Sequence, residues 1–235
     1  MTQRRTLLKQ FATTTFLNIA LKKLFTGNSK LYLITDRPAC LVGRAVSGEN
    51  LQKITARAIT AGIGIIQLRE KNMTKKELYK EAAALRALTL NSGVTFIIND
   101  CVDIALAVDA DGVHLGQEDL PVAEARKVLG KNKIIGISTH SLKQALDAER
   151  AGADYIGFGP IFRTATKNAG KPKGSKSLIE IKKHIKIPVV AIGGITIKNV
   201  SEVLENGADA VAVISGILIG DIEVNVKKFL FAVKQ

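Results

Sequence analysis

From Lys30 onward, short apolar runs rich in β-branched residues recur at near-regular intervals. They are LYLIT (31–35), IIQLR (65–69), TFIIND (95–100), GVHLG (112–116), IIGIS (134–138), YIGFG (155–159), VVAIGG (189–194) and AVAVIS (210–215). Odd and even positions within each run are apolar alike. A strand with one wet face would alternate, so these runs predict parallel strands covered on both sides. The segments between them carry helical periodicity. TKKELYKEAAALRALTL opens with Thr74 as N-cap and Glu77 three residues on, the pattern of a capping box. LPVAEARKVLG places Pro121 at a helix start and Gly130 just past its end.

A weak repeat runs through the same pattern. ERAGADYIGFG (149–159) is echoed by LENGADAVAVIS (204–215) and more distantly by AVDADGVHLG (107–116). Each reads as a helix end, a left-handed residue, an Asp, and then a strand. Eight strand–helix units predict a (β/α)8 TIM barrel over residues 30–235. An open doubly wound sheet is the competing architecture, but the first strand lacks the Gly-rich turn of a dinucleotide site.

Residues 1–29 precede this pattern as an N-terminal extension. Arg4-Arg5 followed by Leu7-Leu8-Lys9 resembles a twin-arginine export signal, and the acid-poor, Thr-rich start resembles a transit peptide. No A-x-A cleavage site follows. An added helix is the third reading, with Phe16, Ile19, Ala20, Lys23 and Leu24 on one face. The segment is too short and interrupted to predict a membrane span.

Composition narrows the partners. The net charge of +13 favours anionic ligands. Aromatic residues make up 5% of the chain and Trp is absent, so a base-stacking surface for nucleic acid has little material. Cys40 and Cys101 form no metal-like spacing and no disulfide framework, which predicts a reducing, cytoplasmic setting. The expected partners are small molecules, without nucleic acid or membrane; a homo-oligomer is compatible with the chain.

In a (β/α)8 barrel the chemistry lies at the C-terminal ends of the strands. Gln67, Arg69 and Lys71 alternate at the second strand end, so a strand continuing through them would aim all three the same way. Two cations and an amide suit a diphosphate; a solvated end paired to Glu70 or Glu77 is the plainer reading. Asp100 and Asp119 follow the third and fourth strands. Together they suit Mg²⁺ completed by phosphate oxygens and water; individually they suit helix capping. Gly193-Gly194 and Ser215-Gly216 follow strands seven and eight, the usual phosphate corner of this fold, or simply turn tightly. Thr164, Thr166 and Lys167 lie in the loop GPIFRTATKNAGKPKGSK, between the two anion sites. His140 and His114 read as packing or hydrogen-bonding residues.

The stretches LYLITDR, QLREK, IINDCVDIALAVDADGVHLGQEDLP, GISTHS, ADYIGFGPIFRTATK, PVVAIGGI and ISGI, in this order from residue 31 to 217, resemble thiamine-phosphate synthase. The resemblance implies a transferase that joins hydroxymethylpyrimidine diphosphate to thiazole phosphate, or its carboxylated form. Thiamine phosphate and diphosphate are the products. It implies that Gln67, Leu68, Arg69, Glu70, Lys71, Asn99, Ser138 and Lys167 bind the pyrimidine diphosphate. Arg69, Lys71 and Lys167 would act on the leaving group. Asp100 and Asp119 would hold Mg²⁺, and Thr164, Ala165, Thr166, Gly194, Ile214 and Ser215 would bind the thiazole phosphate. Two positions depart from the family pattern: Cys101 replaces an Arg, and Arg163 replaces a Pro. The related thiazole tautomerase shares the barrel, but the Asp pair and TATK favour the synthase; a non-catalytic phosphate-binding barrel is the remaining alternative.

Overall fold

In the computed structural model, residues 25–36, 50–164 and 170–234 are described. Eight parallel strands close into a barrel in chain order. They are β1 (Leu31–Ile34), β2 (Ile65–Leu68), β3 (Thr95–Asn99), β4 (Gly112–Leu115), β5 (Ile134–Thr139), β6 (Tyr155–Phe158), β7 (Val189–Ile192) and β8 (Ala210–Val213). β1 pairs with both β2 and β8, with Tyr32 opposite Ile65 and Ala212. The helices among the described residues are α1 (Leu51–Thr60), α2 (Lys75–Ser92), α3 (Val102–Ala107), α4 (Val122–Leu129), α5 (Leu142–Arg150), α6 (Ser177–His184), α7 (Val200–Glu205), the short α8 (Ser215–Leu218) and α9 (Ile222–Ala232). A 3-10 turn at Gly27–Lys30 leads into β1. The helix expected in the extension, read from Phe16, Ile19, Ala20, Lys23 and Leu24, lies outside the described residues.

The caps follow local chemistry. Thr74 and Glu77 form the capping box of α2, and Gly93 closes it in the left-handed region at φ 67°. Pro121 stands at the N-cap of α4 and Gly130 at its C-cap. Asp119 is therefore not the cap of α4. Asp100 does not cap α3 either, since Cys101 holds that N-cap position without a side-chain bond.

Strand parity sorts the core into two layers. Leu31, Leu33, Ile66, Leu68, Phe96, Ile98, Val211 and Val213 pack outward against the helices. Tyr32, Ile34, Ile65, Ile97, Tyr155, Val190, Ala210 and Ala212 fill the barrel interior. Both layers exclude water, which is why the strands read as continuous apolar runs.

The weak repeat has a structural meaning at the N-terminal face of the barrel. Gly152, Gly207 and Asp109 all adopt positive φ. The Asp ahead of β4, β6 and β8 then reaches sideways to the preceding strand. Asp111 Oδ2 accepts the Phe96 N–H at 2.7 Å, Asp154 Oδ2 that of Ile135 at 2.7 Å, and Asp209 Oδ2 that of Val189 at 2.7 Å. Each Asp N–H donates back to the carbonyl of the same residue. A helix cation completes each ring: Arg86, Arg126 and Lys182 respectively. The strands thus begin with their first donors satisfied, in register with their neighbours. Asp154→Ala strips a buried N–H of its acceptor and should lower stability by about 1–3 kcal/mol, read as a shift in the urea midpoint with the m-value unchanged.

Candidate active site

The C-terminal strand ends surround one cleft. Of the residues expected at the site, Gln67, Arg69, Asn99, Ser138, Thr164, Gly194, Ile214 and Ser215 line it, together with His114 and His140. Ala165, Thr166 and Lys167 lie outside the described residues. Leu68 takes the opposite parity: its side chain is buried in the outer layer and does not face the cleft.

β2 ends at Leu68, so the expected strand through Lys71 does not form. Gln67, Arg69 and Lys71 instead go to three different partners. Gln67 is buried in the barrel interior, where its Nε2 donates to the Tyr32 hydroxyl at 2.7 Å. The Arg69 guanidinium bonds the buried Asp36 carboxylate at 2.6 Å, and the Arg69 N–H donates to Thr35 Oγ1 at 2.9 Å. The LITD turn therefore fixes Arg69 from beneath while it faces the cleft. Lys71 leans the other way and pairs with Asp100.

Asp100 adopts φ 62°, anchored by its N–H to the His114 carbonyl at 2.9 Å. This turns its carboxylate away from α3 and towards Asp119. Asp119 in turn accepts the Gly116 N–H at 2.6 Å. Burial opposes ionisation of Asp100, but the Lys71 ammonium and a hydrogen bond from Asp119 outweigh it and hold the group below the usual range. Burial and the Asp100 carboxylate push Asp119 the other way, upward, against the Gly116 N–H. Two carboxylates drawn together at this cost are donors of the kind a hard cation takes. Among the described residues no group of three or more His, Cys, Asp or Glu gathers for a metal. The donor set fits Mg²⁺, which takes one or two carboxylates and completes its shell with phosphate oxygens and water.

Opposite this acidic pair, Gly193 and Gly194 form the corner after β7, at φ 100° and 65°. The chain after β6 lies directly on them: Ile161 and Phe162 donate to the Ile192 and Gly193 carbonyls at 2.9 and 3.0 Å. A Cβ on Gly194 would stand 2.5 Å from the Arg163 carbonyl oxygen. Arg163, one of the two departures, meets this corner through its backbone. Cys101, the other, packs partly buried against the outer core layer. Ile214 and Ser215, at the start of α8, close the far side of the corner.

Residues that periodicity did not single out as functional build the floor. The Tyr32 and Tyr155 hydroxyls meet at 3.0 Å. His114 Nδ1 lies 2.9 Å from the Tyr155 hydroxyl and its Nε2 3.0 Å from Ser138 Oγ. Gln67, Tyr32, Tyr155, His114 and Ser138 thus form one polar chain crossing the interior. Burial raises both phenols above their ordinary range, so they stay protonated at neutral pH. The Tyr155 ring fits only because Gly136 faces it: a Cβ there would stand 2.1 Å from the ring. His114 is a satisfied interior histidine, and His140 Nδ1 bonds the Gly159 carbonyl oxygen at 2.6 Å. The signal available for the tyrosines was parity: Tyr32 and Ile34 alternate with outward Leu31 and Leu33, and an interior Tyr needs a partner for its hydroxyl.

A closed barrel whose cleft at the strand ends is lined by a pinned arginine and a glycine corner, with a carboxylate pair beyond the lining residues, defines an enzyme of the phosphate-handling barrel class. Comparison with known proteins makes this specific. Residues 31–217 match the family model described as thiamine monophosphate synthase. The chain is 47% identical over 189 residues to the thiamine-phosphate synthase of Clostridium acetobutylicum, covering 80% of this chain and 87% of that one. It is 51% identical over 172 residues to that of Shouchella clausii, covering 73% and 82%. The solved thiamine phosphate pyrophosphorylase of Pyrococcus furiosus superposes with a TM-score of 0.79 at 39% identity, over 88% of this chain and 96% of that one. The chain belongs to the thiamine monophosphate synthase family.

Gly194→Ala places a side chain at positive φ against the Arg163 carbonyl. Strain of this kind costs about 1–3 kcal/mol. The expected result is a lower urea midpoint and weaker binding of a small phosphate monoester by calorimetry, with the far-ultraviolet circular dichroism of the barrel retained.

Proposed function

We propose that this protein is a thiamine-phosphate synthase, condensing 4-amino-2-methyl-5-(diphosphooxymethyl)pyrimidine with thiazole phosphate or its carboxylated form. The observation that carries this reading is the placement of two separate anion-holding regions around a single cleft. Arg69, with Lys71 and the Asp100–Asp119 pair beyond it, stands on one side. The glycine corner with Ile214 and Ser215 stands on the other. One region suits the diphosphate, the other the monophosphate. A cytoplasmic setting is part of the same proposal.

The chemistry asks little of proton transfer. The bond between the pyrimidine methylene and the diphosphate oxygen breaks, and its electron pair leaves on diphosphate. The electron-rich aminopyrimidine carries the resulting cation until the thiazole nitrogen donates its lone pair to the methylene carbon. Arg69, Lys71 and Lys167 supply positive charge where the leaving group develops negative charge. Asp36 holds Arg69 in place beforehand, so little reorganisation accompanies the step. Gly194, Ile214, Ser215 and the Thr164–Ala165–Thr166 segment anchor the thiazole phosphate. With both partners in one cleft, a bimolecular step becomes effectively unimolecular. Asp100 and Asp119 would hold Mg²⁺, which when bound supplies further charge neutralisation to the departing diphosphate.

Incubation with both substrates should yield thiamine phosphate and diphosphate in a Mg²⁺-dependent manner, with loss of product on chelation. Isomerised thiazole phosphate formed without the pyrimidine would instead identify a tautomerase. Lys167→Ala should lower kcat about 10²–10³-fold, the scale of losing one preorganised charge-stabilising group. The melting temperature should stay unchanged; a variant that unfolds would make Lys167 a structural residue. Asp119→Asn should raise the Mg²⁺ concentration needed for half-maximal rate, read from a metal titration at saturating substrates.

A further inference from the structure

The polar chain across the barrel interior has a direction. Gln67 Nε2 donates to the Tyr32 oxygen. Tyr32 and Tyr155 are fully buried, and each keeps one hydroxyl hydrogen that needs an acceptor. With that bond in place, the hydrogen of Tyr32 is directed to the Tyr155 oxygen at 3.0 Å, and that of Tyr155 to His114 Nδ1 at 2.9 Å. A neutral imidazole that accepts at Nδ1 carries its proton on Nε2, and there it donates to Ser138 Oγ at 3.0 Å. The Ser138 hydroxyl hydrogen is then left for the cleft, as is the Gln67 carbonyl oxygen.

Every bond can also run backwards. The Gln67 amide would flip and accept from Tyr32, His114 would carry its proton on Nδ1, and Ser138 would donate to Nε2. The cleft would then meet an N–H at Gln67 and only lone pairs at Ser138. A mixed arrangement strands a buried hydroxyl hydrogen without an acceptor, a penalty of roughly ten- to hundredfold in population. The two ends are therefore coupled, although they stand on β2 and β5.

We propose that Tyr32, Tyr155 and His114 are positioning residues that fix the hydrogen-bond polarity of the cleft, making Gln67 Oε1 an acceptor and Ser138 Oγ a donor. The matching ligand is a flat ring with an exocyclic amino group beside a ring nitrogen that accepts. A 4-aminopyrimidine has this pattern. Its 4-oxo counterpart inverts it, with a carbonyl beside a ring N–H. The chain thus selects the amino over the oxo form through two tyrosines behind the cleft wall and a histidine that lines it. This assignment rests on the synthase reading for the identity of the ring, and on the Gln67 amide, whose Nε2 faces Tyr32, for the direction of the chain.

The test has two arms. The first uses ¹⁵N-histidine-labelled protein, in which three histidines give resolvable imidazole signals, His114 being identified by its loss in His114→Gln. An accepting Nδ1 and a protonated Nε2 on His114 are expected. A proton on Nδ1, or on both nitrogens, overturns the proposal, and this result does not depend on catalytic activity. The second arm is Tyr155→Phe, which cuts the chain without touching either cleft group. Its KM for the aminopyrimidine diphosphate should rise about tenfold, the scale of one hydrogen bond. The KM for thiazole phosphate should be unchanged, and the preference for the amino over the 4-oxo pyrimidine diphosphate in competition should fall about tenfold. An equal rise in both KM values, or a drop in kcat with the preference intact, overturns it. Should Tyr155→Phe fail to fold, Tyr32→Phe cuts the same chain at the partner of Gln67 itself, and the amino-over-oxo preference is then the readout. Absence of thiamine phosphate from the unsubstituted protein would sink the synthase reading, while the His114 tautomer would still decide the chain.

Discussion

Closure of the sheet by the β8–β1 pairing is the constraint from which the rest follows. With Leu31, Tyr32 and Leu33 in register against Val211, Ala212 and Val213, no strand has a free edge and no strand face meets bulk water. One parity must pack against helices, and the other must fill a narrow interior. The interior has room for few large side chains, so glycine has to appear where Tyr155 crosses the barrel, at Gly136. Any polar group placed inside must find its partner inside as well. Five such groups satisfy one another in a single line.

The two faces of the barrel use the same residue type for opposite ends. At the N-terminal face, Asp111, Asp154 and Asp209 each hold a strand N–H and a helix cation, so their charge is spent on register and stability. At the C-terminal face, Asp100 and Asp119 are turned towards each other, and Lys71 offsets only part of their repulsion. Asp100 sits at positive φ to reach that position. The carboxylates at the bottom are fully matched within the protein. Those at the top face each other, with Lys71 and the Gly116 N–H beside them. This division between a stabilising face and a reactive one is general to the architecture.

Preorganisation runs through the cleft. Arg69 is fixed by Asp36 through its side chain and by Thr35 through its backbone, and the chain after β6 is fixed on the Gly193–Gly194 corner. Groups already aimed at a developing charge need no reorientation as it forms, and there lies their advantage over water. Arg69 belongs to the strand-2 end, but its position is decided by the strand-1 end. The stretches LYLITD and QLREK are in this sense one structural unit split by 30 residues of chain.

The sequence by itself determined the eight strands, their parallel order and the placement of the chemistry at one end. The causes are local or periodic: β-branched runs apolar on both faces, Thr74 and Glu77 at one helix start, Gly130 at another helix end. It also determined the repeated Asp before alternate strands, because each sits at a fixed offset from a residue at positive φ. What it could not determine was direction at the strand ends. Alternation predicted that Gln67, Arg69 and Lys71 converge, yet β2 stops at Leu68: Gln67 follows Tyr32 of β1, Arg69 follows Asp36 just past β1, and Lys71 follows Asp100 just past β3. Asp119 looked like a cap in one dimension and became half of a carboxylate pair in three. Tyr32 and Tyr155 stand 123 positions apart, and their contact exists only because β1 and β6 face each other across a closed interior. Side-chain partners of that kind are set by closure, a property of all eight strands together and of none of them singly.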